Sequence, residues 1–376
     1  MKHIVVPLVA LLFAGCAQKG TGDDSSLSSV TNKGNSLRSS TNFQGSPLEL
    51  FRNIYESKHQ QFKSALKFET GVCPPARFTV NGKKFTLERD PFAIGSDTVL
   101  YQSTDRSLVV KVHELPMAEA MESLWREEAA AAALDPLIVS GQLTAPRFYQ
   151  PKFESRVSEL CQLRMVTMDL AGRIDLQELV ITYGFQSAEV VRQIAVGGLH
   201  ALEQVHSVGL LHGDIYSGNF LLDEQSDEIQ NLRLIDFGRA REFRDPKTGA
   251  HIEDGPAERG YYSEIASYNS VLLSVNELQG QRLSRRDDLF RFAELLLFLL
   301  DGDDALYTFK YRTNAEGESE LVRLTPPRRE MVKRKRFRKF SENIPSEFVD
   351  FYAATMRLEF AEDPDYAGLR ALFQDS

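Results

Sequence analysis

The stretch HGDIYSGNFLLDEQSDEIQNLRLIDFGRA, His212 to Ala240, carries an acid, an amide five residues on, and a second acid directly before Phe237-Gly238. These are Asp214, Asn219 and Asp236. The interval between the last two is of hairpin size and closes with a short apolar strand, Leu232 to Ile235. Asn and Asp offer hard oxygen donors of the kind Mg²⁺ takes, and Asp214 is suited to accept a proton from a hydroxyl. Any one of these short patterns is weak, and all of them in this order are a strong constraint.

The elements around the stretch define the fold class. Arg77 to Leu87, RFTVNGKKFTL, has Asn81-Gly82 between two alternating runs, the strongest short hairpin signal. Further strands are expected at Thr98 to Gln102, Leu108 to Val112 and Leu163 to Leu170. Residues 117–134 are Ala-rich and helical in pattern, and helices are expected at 187–207, 286–300 and 345–357. Strands come first and helices later. That order predicts an α+β protein with a small sheet lobe before a larger helical lobe. The 376 residues supply a core for one large domain or two lobes. A net charge of −9 argues against bulk nucleic-acid binding.

The N-terminal residues read differently. Lys2 and His3 precede an apolar run, Ile4 to Ala14, too short to span a bilayer, and Phe13-Ala14-Gly15-Cys16 follows. This resembles a bacterial lipoprotein signal, which implies export and a membrane anchor through lipidated Cys16; an ordinary signal peptide with a chance Cys is the alternative. Residues 1–15 are the expected signal, and 16–45, rich in Ser, Gly, Asn and Thr, a flexible tether. Residues 46–72 open with a Ser46-Pro47 helix start and continue with apolar residues at helical spacing. Cys73 and Cys161 either pair in an oxidising compartment or stay separate thiols.

His212-Gly213-Asp214 with Asn219, and Asp236-Phe237-Gly238, resemble the catalytic loop and metal-binding triplet of the protein kinase superfamily. The resemblance implies a bilobal kinase-like domain at 73–376, with a small lobe at about 76–169 and a larger lobe at about 170–376. It implies ATP and Mg²⁺, with Asp214 as the base and Asn219 and Asp236 as metal ligands. Leu108-Val109-Val110-Lys111 matches the strand whose Lys binds the α/β-phosphates. Its acidic partner is Glu127 or Glu128, with Glu127 preferred by counting back from an inward Leu134. Ile94-Gly95-Ser96-Asp97-Thr98-Val99 aligns with the end of the phosphate-covering loop, so Gly95 and Ser96 are nucleotide-binding candidates. Ala93 and Thr98 stand where that loop has its other glycines.

Three further stretches narrow the resemblance to the casein kinase 1 family, over about residues 85–374. They are EFRDPKTGAHI after Ala240, Ser284-Arg285-Arg286-Asp287-Asp288-Leu289, and IPSEFVDFYAATMRLEFAEDPDYAGLRALF. By this similarity Asp288 is the buried acid that bonds the catalytic-loop backbone. Met168 is the gatekeeper, and Asp169 to Ala171 the hinge that holds adenine through backbone groups. The implied acceptor is Ser or Thr of a protein, and the expected state a monomer.

Two positions depart from the pattern. Tyr216 stands where kinases acting on Ser/Thr carry a Lys that touches the γ-phosphate, so that charge must be met by Mg²⁺ and Lys111 alone or by another basic residue. Gly213 replaces the Arg of the H-R-D form, which predicts no phosphate-operated switch in the activation segment. Two alternatives to an active protein kinase therefore stand: an inactive kinase-fold binder, and a small-molecule phosphotransferase. The basic run Pro326 to Lys339 reads either as a solvated surface helix or as a dock for an acidic or lipid partner.

Overall fold

A computed structural model describes residues 77–94, 98–113, 117–153, 165–172, 174–222, 228–257, 273–301, 309–313, 319–323 and 344–374. The expected signal, tether and 46–72 helix, Cys73, Cys161, Gly95, Ser96 and the 326–339 run lie outside them.

The chain opens with the expected hairpin, β1 (Arg77–Val80) and β2 (Lys83–Thr86). Asn81 and Gly82 have φ of 48° and 82°. Positive φ at both central residues is what a tight hairpin turn needs. The strands β3 (Ala93–Ile94), β4 (Thr98–Gln102) and β5 (Leu108–His113) follow, then helix α1 (Met117–Val139). Next come β6 (Phe148–Tyr149), β7 (Lys152–Phe153) and β8 (Met165–Asp169). Five of these strands form an antiparallel sheet in the order β3-β4-β5-β8-β6. β1 pairs with β2 and β7 in a second small sheet.

Every residue of the central strand β5 is buried. Its Val109 shares a cluster with Leu124 of α1 and with Val166 and Met168 of β8. The buried stripe of α1 runs Leu124, Glu127, Ala130, Ala131 and Leu134, a spacing that keeps one helical face inward. The sequence pattern ends this helix at 134, yet it continues through Pro136 to Val139. Pro removes a backbone bond inside a helix. Leu137 and Ile138, which pack against the main core, offset that loss.

The helical part begins with α2 (Leu176–Tyr183), which the sequence pattern had not marked. Its cap is the Asp175 side chain, accepting from the N–H groups of Gln177 and Glu178, and Gly184 ends it. Helix α3 (Ala188–Ser207) is followed by β9 (Leu210–Leu211), a 3₁₀ turn at Ser217–Asn219, β10 (Phe220–Leu222), β11 (Leu232–Leu234) and β12 (Arg241–Glu242). Then come α4 (Val275–Leu278), α5 (Arg285–Asp301), a hairpin of β13 (Phe309–Thr313) and β14 (Ser319–Arg323), and the closing helices α6 (Ser346–Arg357) and α7 (Tyr366–Gln374). Helix α5 is the core of this part, with Leu289, Phe292 and Leu295 wholly buried. A Cβ at Gly198 would lie 2.1 Å from the Phe292 ring, so glycine sets how closely α3 and α5 approach. The result is the bilobal arrangement of a kinase fold, with a sheet lobe first and a helical lobe after it.

Candidate active site

Lys111 points from the central strand towards the inward face of α1. Its Nζ donates to Glu127 Oε1 at 3.0 Å and Oε2 at 3.2 Å, and to Asp236 Oδ1 at 2.9 Å. Lys111 and Glu127 are buried, whereas Glu128 is exposed, so α1 offers Glu127 to the lysine. Burial by itself works to lower the Lys111 value. The charges of Asp236 and Glu127 outweigh it and hold the ammonium above the usual lysine range. For Asp236, burial works upward, but Lys111 wins and brings the carboxyl to about 2. His113, two residues along β5, also faces Glu127, with Nε2 at 3.5 Å from Oε2.

The catalytic-loop backbone is held from below. The N–H groups of His212 and Gly213 donate to Asp288 Oδ2 and Oδ1 at 2.7 and 3.0 Å. The same carboxylate meets His206 Nε2 at 3.1 Å, and His206 Nδ1 meets the Tyr366 hydroxyl. His212 Nε2 donates to the Ile235 carbonyl at 3.0 Å, while its Nδ1 accepts from the Asp214 N–H at 3.3 Å. That assignment follows from the partners: a carbonyl needs a donor and an amide needs an acceptor.

β10 and β11 form an antiparallel pair with Phe220 opposite Leu234. Asn219 directly precedes this pair, and Asp236 follows it by two residues. The Ile235 N–H donates to the Asn219 carbonyl at 3.0 Å, so both side chains stand at one end of the hairpin. Asn219 Nδ2 donates to the Asp214 carbonyl at 2.7 Å, which leaves its Oδ1 as a donor to metal. The Asp236 side chain is 38% exposed. Its backbone is left-handed at φ 64°, a strain tolerated by Asp and common at functional sites. Asn219, buried, and Asp236, partly exposed, carry the hard oxygens that Mg²⁺ takes. Among the described residues no group of three or more His, Cys, Asp or Glu is placed to hold a metal by itself.

Met168 is buried on β8, opposite Val109 of β5. The segment expected to be the hinge follows it. Asp169 and Leu170 give their N–H groups to the carbonyls of Arg147 and Ser107, both at 3.0 Å. The Asp169 carboxylate accepts from the Tyr149 hydroxyl at 3.0 Å. Ala171 is buried beside them.

Several residues that shape this site carried no sequence motif. Arg291 sits inside the apolar face of α5. It donates to the Gly213 carbonyl at 2.8 Å and pairs through Nε with Glu277 at 2.8 Å. A charge in the middle of an apolar helical run was the signal available. Asp214 Oδ1 lies 3.9 Å from Nη1 of Arg291 and 3.9 Å from Nη1 of Arg239. Tyr216 packs against the main core.

The exchange at Gly213 has a steric cause. Its φ is 73°, and a Cβ there would stand 2.6 Å from the Arg239 carbonyl oxygen. Any side chain must push the catalytic loop and the Asp236 turn apart. Gly213→Ala is expected to destabilise the protein by about 1–3 kcal/mol, read as a lower urea midpoint with an unchanged slope.

The protein kinase domain family matches residues 154–352, more than half of the chain. The chain belongs to that family. The match begins after β5 and α1, so the Lys111–Glu127 clamp is an observation of geometry independent of it. The chain is 31% identical over 216 residues to casein kinase I homolog 2 of Schizosaccharomyces pombe, covering 56% of this chain and 46% of that protein. It is 29% identical over 255 residues to casein kinase I homolog 3 of the same yeast, covering 59% and 54%. For casein kinase I homolog 1 of Saccharomyces cerevisiae the figures are 29% over 210 residues, 55% and 36%. The chain thus spans about half or less of the length of these relatives.

One expectation is corrected here. Export and membrane anchoring as a bacterial lipoprotein do not agree with relatives that are casein kinase I homologs of yeasts. No helix among the described residues is long and apolar enough to cross a membrane. The physical reason for the misreading is the shortness of the signal. Eleven apolar residues and a nearby Cys form a low-information pattern, and they make few demands on the chain around them.

Proposed function

We propose that this chain transfers the γ-phosphate of ATP to a Ser or Thr hydroxyl of a protein. The observation that carries the reading is the lysine clamp: Lys111 is gripped by Glu127 and Asp236 at the mouth shared with Asp214 and Asn219. Adenine would sit beneath Met168 and bond Ala171. Asn219 and Asp236 would hold Mg²⁺, which neutralises the triphosphate when bound. Lys111 orients the α/β-phosphates. Asp214 accepts the proton as the acceptor oxygen bonds to phosphorus, the bond to the β-phosphate oxygen breaks, and ADP leaves.

Tyr216 favours a second reading, a kinase fold that binds partners without catalysis. One experiment separates them. Full-length protein is incubated with γ-labelled ATP, Mg²⁺ and dephosphorylated casein, beside Asp236→Ala. Label on the casein that falls at least roughly 10²-fold in the variant supports transfer. Equal label in both samples would refute it, and label on small molecules alone would move the acceptor class.

A further inference from the structure

Tyr216 removes a cation from the catalytic loop, and the fold returns one from a different segment. We propose that Arg239, the residue after Asp236-Phe237-Gly238, contacts the γ-phosphate in place of the missing lysine. The inference rests on the nucleotide reading above and deepens it.

Two guanidinium groups approach the Asp214 carboxylate, and they differ in exposure. Arg291 is buried, with its Nε on Glu277 and its Nη1 on the Gly213 carbonyl. It is a strut beneath the loop. Arg239 stands at the same 3.9 Å from Asp214 Oδ1, and its side chain is 18% exposed, much as the Asp214 side chain is at 19%. Both therefore meet solvent. A base that takes a proton from an acceptor hydroxyl lies within hydrogen-bond reach of it, and that oxygen approaches phosphorus in line. A guanidinium beside the base therefore stands about one side-chain swing from the transferring phosphoryl group. Its planar fork matches phosphate oxygens in pairs.

The backbone of Arg239 is fixed for this task by two close approaches. A Cβ at Gly213 would come 2.6 Å from the Arg239 carbonyl, and a Cβ at Gly238 would come 2.6 Å from Ser123 Oγ of α1. The Ala240 N–H closes the turn on the Phe237 carbonyl at 2.9 Å. The segment that presents the arginine is thus wedged between the catalytic loop and the helix that carries Glu127. Glycine at 213 and arginine at 239 work together, because the first permits the contact that positions the second.

In the transfer step the acceptor oxygen bonds to the γ-phosphorus and its proton passes to Asp214. The bond from phosphorus to the β-phosphate oxygen breaks, and the electron pair leaves with ADP. Arg239 adds no atom to this balance. It offsets charge on the equatorial oxygens, where it also holds ATP more tightly than ADP.

The test compares wild type, Arg239→Ala, Arg239→Lys and Arg239→Ala/Tyr216→Lys as full-length proteins. Calorimetry with Mg²⁺ measures ATP against ADP affinity, and casein labelling measures transfer. Thermal melts check that each variant is folded. Arg239→Ala is expected to lose the preference for ATP and roughly 10²–10³-fold in kcat. Arg239→Lys keeps part of both, and the added Tyr216→Lys recovers at least roughly a tenth of the wild-type rate. An unchanged ATP preference in Arg239→Ala overturns the inference. So does a loss of kcat that neither lysine restores. A wild type that prefers ATP but labels nothing would sink the kinase reading alone, because the ATP preference still decides the role of Arg239.

Discussion

Lys111→Met is expected to abolish phosphoryl transfer and to destabilise the fold by about 3–5 kcal/mol, the cost typical of an uncompensated buried charge. Glu127 is wholly buried, and its two oxygens meet the lysine at 3.0 and 3.2 Å. With the ammonium removed, the only ion-pair partner left to Glu127 among the described residues is His113 at 3.5 Å. Asp236 suffers less, since its side chain is partly exposed. The double variant Lys111→Met/Glu127→Gln should recover most of the lost stability and none of the transfer. Urea denaturation measures the first effect and casein labelling the second. Equal stability of Lys111→Met and wild type would contradict the account.

Asp288→Ala is expected to destabilise by a similar amount, about 3–5 kcal/mol, and to slow transfer without changing any group that touches substrate. It leaves the N–H groups of His212 and Gly213 and the His206 ring without their acceptor in the interior. The pH dependence gives a second check. Burial works to raise the Asp288 carboxyl, but the bond and charge of His206, with His212 and Arg291, hold it below the usual carboxylate range. Burial also pushes His206 below the usual histidine value, against the pull of Asp288. Both groups therefore bind protons more readily in the unfolded chain. The stability from His206 is fully present above about pH 6.5 and fades as pH falls through its lower folded value; that from Asp288 is lost at more acidic pH. Wild type should lose stability on acidification below about pH 6.5; Asp288→Asn, which removes the carboxylate that pulls the His206 value up, should lose more of it across the histidine range and lack the more acidic limb. A flat profile for wild type would refute the assignment.

What was legible in the sequence was mostly local. The Asn81-Gly82 turn, the strand Thr98–Gln102 and helix α3 follow from residues close in the chain. The order Asp214, Asn219, Asp236 was legible for the same reason, because one short hairpin brings the last two to a common end. Helix α2 carried its own punctuation in Asp175 and Gly184, and a brief apolar segment between polar neighbours hid it. The end of α1 was not legible, since contacts of Leu137 and Ile138 with the core override the proline.

The sequence by itself determined the family, the turn and strand chemistry, and the order of the polar residues Asp214, Asn219 and Asp236. Backbone sterics and side-chain donor types act over a few residues, so they can be read without coordinates. Only the tertiary structure chose Glu127 over Glu128, laid Asp288 under the catalytic loop 76 residues earlier, and brought Arg239 within 3.9 Å of Asp214. Those choices depend on which face of a helix is buried and which loops meet. Packing of the whole chain settles both, because a charge removed from water must find its partner wherever the fold has placed one.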